Sequence, residues 1–151
     1  MVELRELVLG DARALPGIYT AEAVRYLGRP PMEHTEAVFR VRQALAPPAG
    51  LPRDHVLGIT ADGELVGTAT LHQRSADTAA VSYLLRSDAW GRGYATHAVR
   101  HLLDLARRLG VSRVHARHHP DNPASGRVLT KVGFVPTGQH AGFPTYTAHL
   151  S

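Results

Sequence analysis

The residues with the clearest chemical potential are the run Trp90-Gly91-Arg92-Gly93-Tyr94-Ala95-Thr96. A glycine-rich turn that opens a helix leaves several backbone N–H groups unpaired, all at the positive end of the helix dipole. Such a turn seats a phosphate or pyrophosphate. Arg92 can add a bidentate, permanently charged donor to the same anion. A plain strand-to-helix turn would also favour glycine. Two glycines bracketing an arginine directly before a strong helix favour the anion seat. Histidine is the other reactive resource, with ten in the chain. His72, His118 and His119 fall at strand ends, and an imidazole is a competent base near neutral pH. Of these, His118 is the first choice, because its strand face is shared with Val114 and Ala116. His97 and His101, four apart on one helix, could share a metal ion, but no third ligand follows at readable spacing. No metal site is expected.

These residues need elements to position them. The anion loop follows a strand over Thr78 to Arg86 and precedes a helix beginning near Tyr94. Ala95, Ala98, Val99, Leu102, Leu103, Ala106 and Leu109 form one apolar stripe of that helix. His97, Arg100, His101, Asp104, Arg107 and Arg108 take the solvent face, and Gly110 provides the left-handed stop. Val111 to His118 reads as a strand. Asn122 then caps a second helix with Pro123 at its first position, ended by Gly133. Upstream, Val2 to Leu9 is a strand, Asp11 caps a helix from Ala12, and Glu33 to Ala46 forms another helix. Residues 46–52, rich in proline, break the pattern without marking a domain boundary. His55 to Thr60 and Glu64 to Leu71 pair as a hairpin through Ala61-Asp62-Gly63.

The stretch from Tyr83 to Phe134 resembles the GNAT superfamily of acetyl-CoA-dependent N-acetyltransferases, and within it the branch that acetylates ribosomal-protein amino termini. The resemblance rests on the Trp90–Thr96 loop, on Asp121-Asn122-Pro123-Ala124-Ser125, and on Arg127-Val128-Leu129 leading to Lys131-Val132-Gly133-Phe134. It implies an α/β (α+β) fold in the order βααβββαβαββ. The central sheet would be mixed, mostly antiparallel and splayed in the middle, with helices on its flanks. Residues 1–151 would form a single domain of this kind.

The reaction the resemblance implies is direct transfer. A neutral amine attacks the thioester carbonyl of acetyl-CoA, an oxyanion forms, and the cofactor leaves as thiol or thiolate. Backbone groups of about Leu84, Leu85 and Arg86 would hold the pantetheine arm and supply an oxyanion donor. Trp90, Gly91, Arg92, Gly93, Tyr94, Ala95 and Thr96 would hold the pyrophosphate. Asn122 and Ser125 would reach toward the sulfur, with Ser125 as acid for the leaving group. Ala80 stands where the family often places a glutamate, and Leu129 where many members carry a tyrosine. The general base is therefore unassigned, and amines of low pKa are the expected acceptors. These could be small molecules or protein N-termini. The same two departures motivate a second reading, an acyl-CoA-binding or degenerate module without turnover.

Composition agrees with a small enzyme and excludes several classes. A chain of 151 residues can bury a substantial core. No apolar run could span a bilayer, and the start, Met1-Val2-Glu3-Leu4-Arg5-Glu6, is charged rather than signal-like. No membrane partner is expected. Cysteine is absent, which removes disulfides and thiol nucleophiles and points to a cytoplasmic setting. The net charge of +4 rests on arginine, with Lys131 the single lysine. Nine of the seventeen basic residues lie between Arg86 and Lys131, against three acids, which suits a polyphosphate ligand. No aromatic or helix-turn-helix pattern supports a nucleic-acid partner. A homodimer is compatible with everything above.

Overall fold

The computed structural model describes residues 1–151. Its strands are β1 (Val2–Glu6), β2 (Arg53–Ala61), β3 (Glu64–Gln73), β4 (Thr78–Leu85), β5 (Arg113–Arg117), β6 (Val135–His140) and β7 (Phe143–His149). The helices are α1 (Leu15–Ile18), α2 (Ala21–Val24), α3 (His34–Leu45), α4 (Tyr94–Arg108) and α5 (Pro123–Lys131). All seven strands form one sheet in the order β1-β2-β3-β4-β5-β7-β6. Every pairing is antiparallel except β4 with β5. That parallel pairing is also the shortest. It joins Thr78–Ala80 to Arg113–His115 and then stops, although β4 runs on to Leu85. The sheet is thus split at its middle, as the resemblance implied.

Two apolar layers hold the split sheet. On one face, Ile59, Leu71, Val81 and Leu85 pack against Ala98, Val99, Leu102 and Leu103 of α4 and against Leu129 of α5. On the other, Leu65 and Leu84 pack beneath Leu15, Ile18, Val24 and Val41 from α1 to α3. Successive residues of a strand point to opposite faces. Val81, Tyr83 and Leu85 therefore face α4 and α5, while Ala80, Ser82 and Leu84 face α1 to α3. The hairpin between β2 and β3 closes through Asp62 (φ 51°) and Gly63 (φ 84°), the two positive angles a tight two-residue turn requires.

Three expectations change. Asp11 caps no helix; the chain there makes a 3-10 turn over Leu9–Arg13, followed by two four-residue helices. The Asp11 side chain is buried, accepts two bonds from the Arg5 guanidinium (2.8 and 2.9 Å) and one from the Val8 N–H (2.7 Å). Arg5 is the main reason that this carboxyl titrates below its ordinary range. Asn122 occupies the N-cap of α5, but its side chain makes no capping bond. On α4, Leu109 is exposed and His101 is half-buried, and burial lowers the imidazole pKa of His101.

Candidate active site

A cleft of about 1280 Å³ passes through the split in the sheet. Of the residues expected to bind or catalyse, every one except Arg86 and Arg92 lines it. The anion loop forms one end. Gly91 (φ 74°) and Gly93 (φ 81°) both adopt left-handed backbone angles, and Gly93 is the N-cap of α4. A side chain at either position would strain the turn. The backbone N–H groups of residues 91–96 find no acceptor in the chain. Six consecutive free donors at the start of a fifteen-residue helix can surround a diphosphate. Trp90 anchors the loop by donating its indole N–H to the Leu85 carbonyl at 3.1 Å. Arg92 stands exposed at the rim, without a carboxylate partner.

The strand edge that faces the split differs from the expected one by parity. In an antiparallel ladder alternate residues bond to one neighbour, and those between them turn their backbone groups to the other side. Arg74 N–H donates to the Thr78 carbonyl and Arg86 N–H to the Val66 carbonyl (2.7 Å), so the even-numbered residues of β4 serve β3. Val81, Tyr83 and Leu85 are left to address the split. Among Leu84, Leu85 and Arg86, only Leu85 turns its backbone there, and its N–H is the group left to offer, since its carbonyl is taken by Trp90. The Arg86 side chain is also engaged, with Asp88 (2.6 Å) and Glu64 (2.9 Å). A pantetheine arm, itself a chain of amides, suits the unpaired edge of β4, and the diphosphate suits the loop. The residues present therefore fit coenzyme A.

At the other end of that edge, Ser125 is placed by the first turn of α5. Its hydroxyl oxygen accepts from the Tyr83 hydroxyl (3.0 Å) and from the Asn122 side-chain amide (3.2 Å). With two donors already on the oxygen, the Ser125 hydrogen is the group left to give. Tyr83 is half-buried, and burial raises its pKa, so it remains a proton donor to Ser125. Sequence reasoning missed Tyr83. Its signal was the alternation of β4, which turns Tyr83 away from Ser82 and toward α5. Leu129 is buried in the core and can supply no acid.

The histidines separate into distinct environments. The ring of His118 donates from Nδ1 to the His119 carbonyl (2.7 Å), and its Nε2 meets the Tyr146 hydroxyl at 3.1 Å. Gly126 presses against it: a Cβ there would lie 2.8 Å from both the His118 Nε2 and the Tyr146 oxygen. His118 is thus enclosed by α5 and β7, on the Ser125 face of the split. His119 lies between Tyr26, tilted against it, and Phe143, edge-on to it, at centroid distances of 5.3 and 5.5 Å. His72 lies on the opposite face, beside Ala80 of the neighbouring strand. No cluster of three or more His, Asp or Glu residues is arranged to hold a metal. No helix is long and apolar enough to cross a membrane.

Comparison with known proteins agrees with this geometry. Residues 2–135 match the family described as "Acetyltransferase (GNAT) domain". YoaA of Bacillus subtilis (strain 168), an uncharacterized N-acetyltransferase, is 30% identical over 141 residues, covering 89% of this chain and 80% of that protein. Among solved structures, the spermidine N-acetyltransferase of Vibrio cholerae, in complex with CoA and spermine, superposes with a TM-score of 0.82 at 18% identity. That match covers 98% of this chain and 95% of the other. RimL, a ribosomal L7/L12 alpha-N-protein acetyltransferase in complex with coenzyme A, gives 0.83 at 19% identity, over 99% and 94%. The chain belongs to the GNAT family of acetyltransferases, enzymes for which acetyl-CoA is the co-substrate.

Proposed function

We propose that residues 1–151 act as one catalytic domain that transfers acetyl directly from acetyl-CoA to an amine of low pKa. A peptide α-amine, as in the ribosomal-protein branch, or a small amino-acid-like metabolite fits best. The observation that carries this reading is the Ser125 hydroxyl, held by Tyr83 and Asn122 on the wall of the same cleft as six free N–H donors. The loop at residues 90–96 holds the diphosphate, and the β4 edge around Leu85 holds the pantetheine. Ser125 protonates the departing sulfur and regains its proton through Tyr83. A module that only bound acyl-CoA would have no need of that last arrangement. A cytoplasmic setting suits a co-substrate of this kind.

The charge of the cleft narrows the acceptor. Arg25, Arg74 and Arg117 stand on its walls, and Asp121 is the single acid among the lining residues. Polycationic amines are disfavoured there by like charge. Free-amine availability points the same way. At pH 7 roughly 9–17% of an α-amine of pKa 7.7–8.0 is neutral, against about one part in 2,500 for a lysine side chain at 10.4. A panel of peptides, amino-acid-like amines, polyamines and alkyl amines, followed by mass shift, tests the proposal. α-Amines should be acetylated faster than alkyl amines at pH 7, and the alkyl rate should climb steeply by pH 9. Equal rates on lysine side chains and α-amines at pH 7 would refute it.

A further inference from the structure

Three strands bring Asp54, His72 and Ser82 into one hydrogen-bonded line. His72 Nδ1 lies 2.9 Å from Asp54 Oδ1, and His72 Nε2 lies 2.8 Å from Ser82 Oγ. A carboxylate only accepts, so Nδ1 carries hydrogen toward Asp54, and in the neutral ring the Nε2 lone pair then faces the Ser82 hydroxyl. The ladder fixes this arrangement. Asp54 of β2 pairs with His72 of β3, which pairs with Ala80 of β4, which pairs with His115 of β5, all on the α1-to-α3 face. The small side chain of Ala80 leaves room for the imidazole to lean diagonally onto Ser82. His72 and Ser82 both line the cleft, on the face opposite Ser125. Exposed ion pairs add little to stability, so the fold does not require this line.

We infer that Ser82, His72 and Asp54 form the proton relay that deprotonates the attacking amine. The inference rests on the acetyltransferase reading above. As the N–C bond forms, the amine proton passes to Ser82 Oγ while the Ser82 hydrogen passes to His72 Nε2. The resulting imidazolium is held by Asp54. Collapse of the oxyanion breaks the C–S bond, the sulfur takes the Ser125 proton, and His72 later returns its own proton to solvent. Ser82 touches the amine; Asp54 is a positioning residue that keeps His72 in the correct tautomer and stabilises its charged form. The other titratable or charged groups lining this wall are His115 and Arg117 on β5, Arg74 just beyond β3, and Arg25 and Tyr26 just beyond α2, with His119 packed on Tyr26. His118 differs in having a neutral backbone carbonyl behind it, which stabilises an imidazolium less than a carboxylate does.

The test begins with wild-type enzyme, acetyl-CoA binding by calorimetry and the best acceptor of the amine panel. His72→Gln should lower kcat by about a hundredfold, with acetyl-CoA affinity within twofold of wild type. Asp54→Asn should lower kcat by about tenfold with acetyl-CoA affinity and melting temperature close to wild type. A merely structural role for Asp54 would move the melting temperature and leave kcat in place. Asp54→Glu should restore part of the lost kcat. Ser82→Ala reads the same relay should His72→Gln fail to fold. Wild-type kcat in these variants would overturn the relay while leaving the acetyltransferase intact. A wild type that binds no acetyl-CoA and modifies no amine would overturn both.

Discussion

The two walls of the split are built from sequence in different ways. The wall that faces α4 and α5 takes most of its groups from two local segments, residues 90–96 and 122–125, each folded by its own short-range rules, with Tyr83 and Leu85 added from β4. The wall that faces α1 to α3 takes Asp54, His72 and Ser82 from three strands, one from each, with the last 28 positions after the first. Local geometry can be read from residue types, because glycines, a helix start and a proline at its first position have fixed consequences. Register cannot, because a slip of one residue in β3 would send His72 to the other face. Experiments that perturb one wall and read the other test this division directly.

The largest effect on the α4–α5 wall is expected at Ser125. Ser125→Ala removes a hydroxyl in the cleft whose oxygen already accepts two bonds and whose hydrogen is left to give. Since a leaving thiol near pKa 8.5 needs only modest help, kcat should fall by roughly ten- to a hundredfold, at the low end of general acid effects. Acetyl-CoA affinity should barely move. Should affinity fall as far as kcat, Ser125 is a binding residue and the two walls share less of the chemistry than proposed.

The loop comes next, with an effect confined to binding. Gly93→Val puts a branched side chain where φ is 81°, and Arg92→Ala removes the exposed guanidinium at the rim. Each should weaken acetyl-CoA by about tenfold, or ~1.4 kcal/mol. Because Arg92 does not line the cleft itself, its effect should shrink with added salt, whereas that of Gly93→Val should not. Affinity unchanged in both variants would remove the loop from the cofactor site.

A comparable free energy, read as stability, is expected beneath the other wall. Asp11 ties the 3-10 turn before α1 to Arg5 of β1, and the pairing holds its carboxyl below the ordinary range. A carboxyl whose pKa is lower folded than unfolded stabilises the fold above the unfolded value near 3.9, and that contribution fades as pH falls through the folded value. Asp11→Asn should therefore cost about 1–2 kcal/mol at pH 7, and the difference from wild type should close in strong acid. Denaturant titrations at pH 7 and below pH 3 check both halves. A constant gap across that range would mean that the carboxylate charge contributes nothing.

Much of the architecture was legible from residue types. The α4 stripe, the β2–β3 hairpin, the αL glycines and the split itself all follow from periodicity, turn chemistry and the family resemblance. Asp11 and part of the expected β4 set read differently in the fold because tertiary partners outweighed local propensity. Asp11 has the type of an N-cap, but Arg5 on β1 lies close enough to claim its carboxylate. Leu84 and Arg86 stood in the expected cofactor set, but their backbone parity gives them to β3. His118 lines the cleft beside Ser125, with Gly126 and Tyr146 packed against its ring.

Asn122 provides the smallest effect and the finest discrimination. Its position before Pro123 is that of a helix cap, and a capping asparagine replaced by alanine costs ~1 kcal/mol. In the structure the side chain gives its amide hydrogen to Ser125 instead, and no N–H of α5 bonds to it. Asn122→Ala should consequently cost less than about half a kilocalorie of stability, as expected away from capping and core positions. What it should change is the serine. With one donor lost, the Ser125 oxygen keeps only the Tyr83 bond, and its hydrogen is no longer confined to one direction. A fall in kcat of roughly threefold, with acetyl-CoA affinity and melting temperature close to wild type, is the expected pattern. The reverse pattern, a full capping penalty with kcat unchanged, would return Asn122 to the helix and leave Tyr83 alone to hold the acid in place.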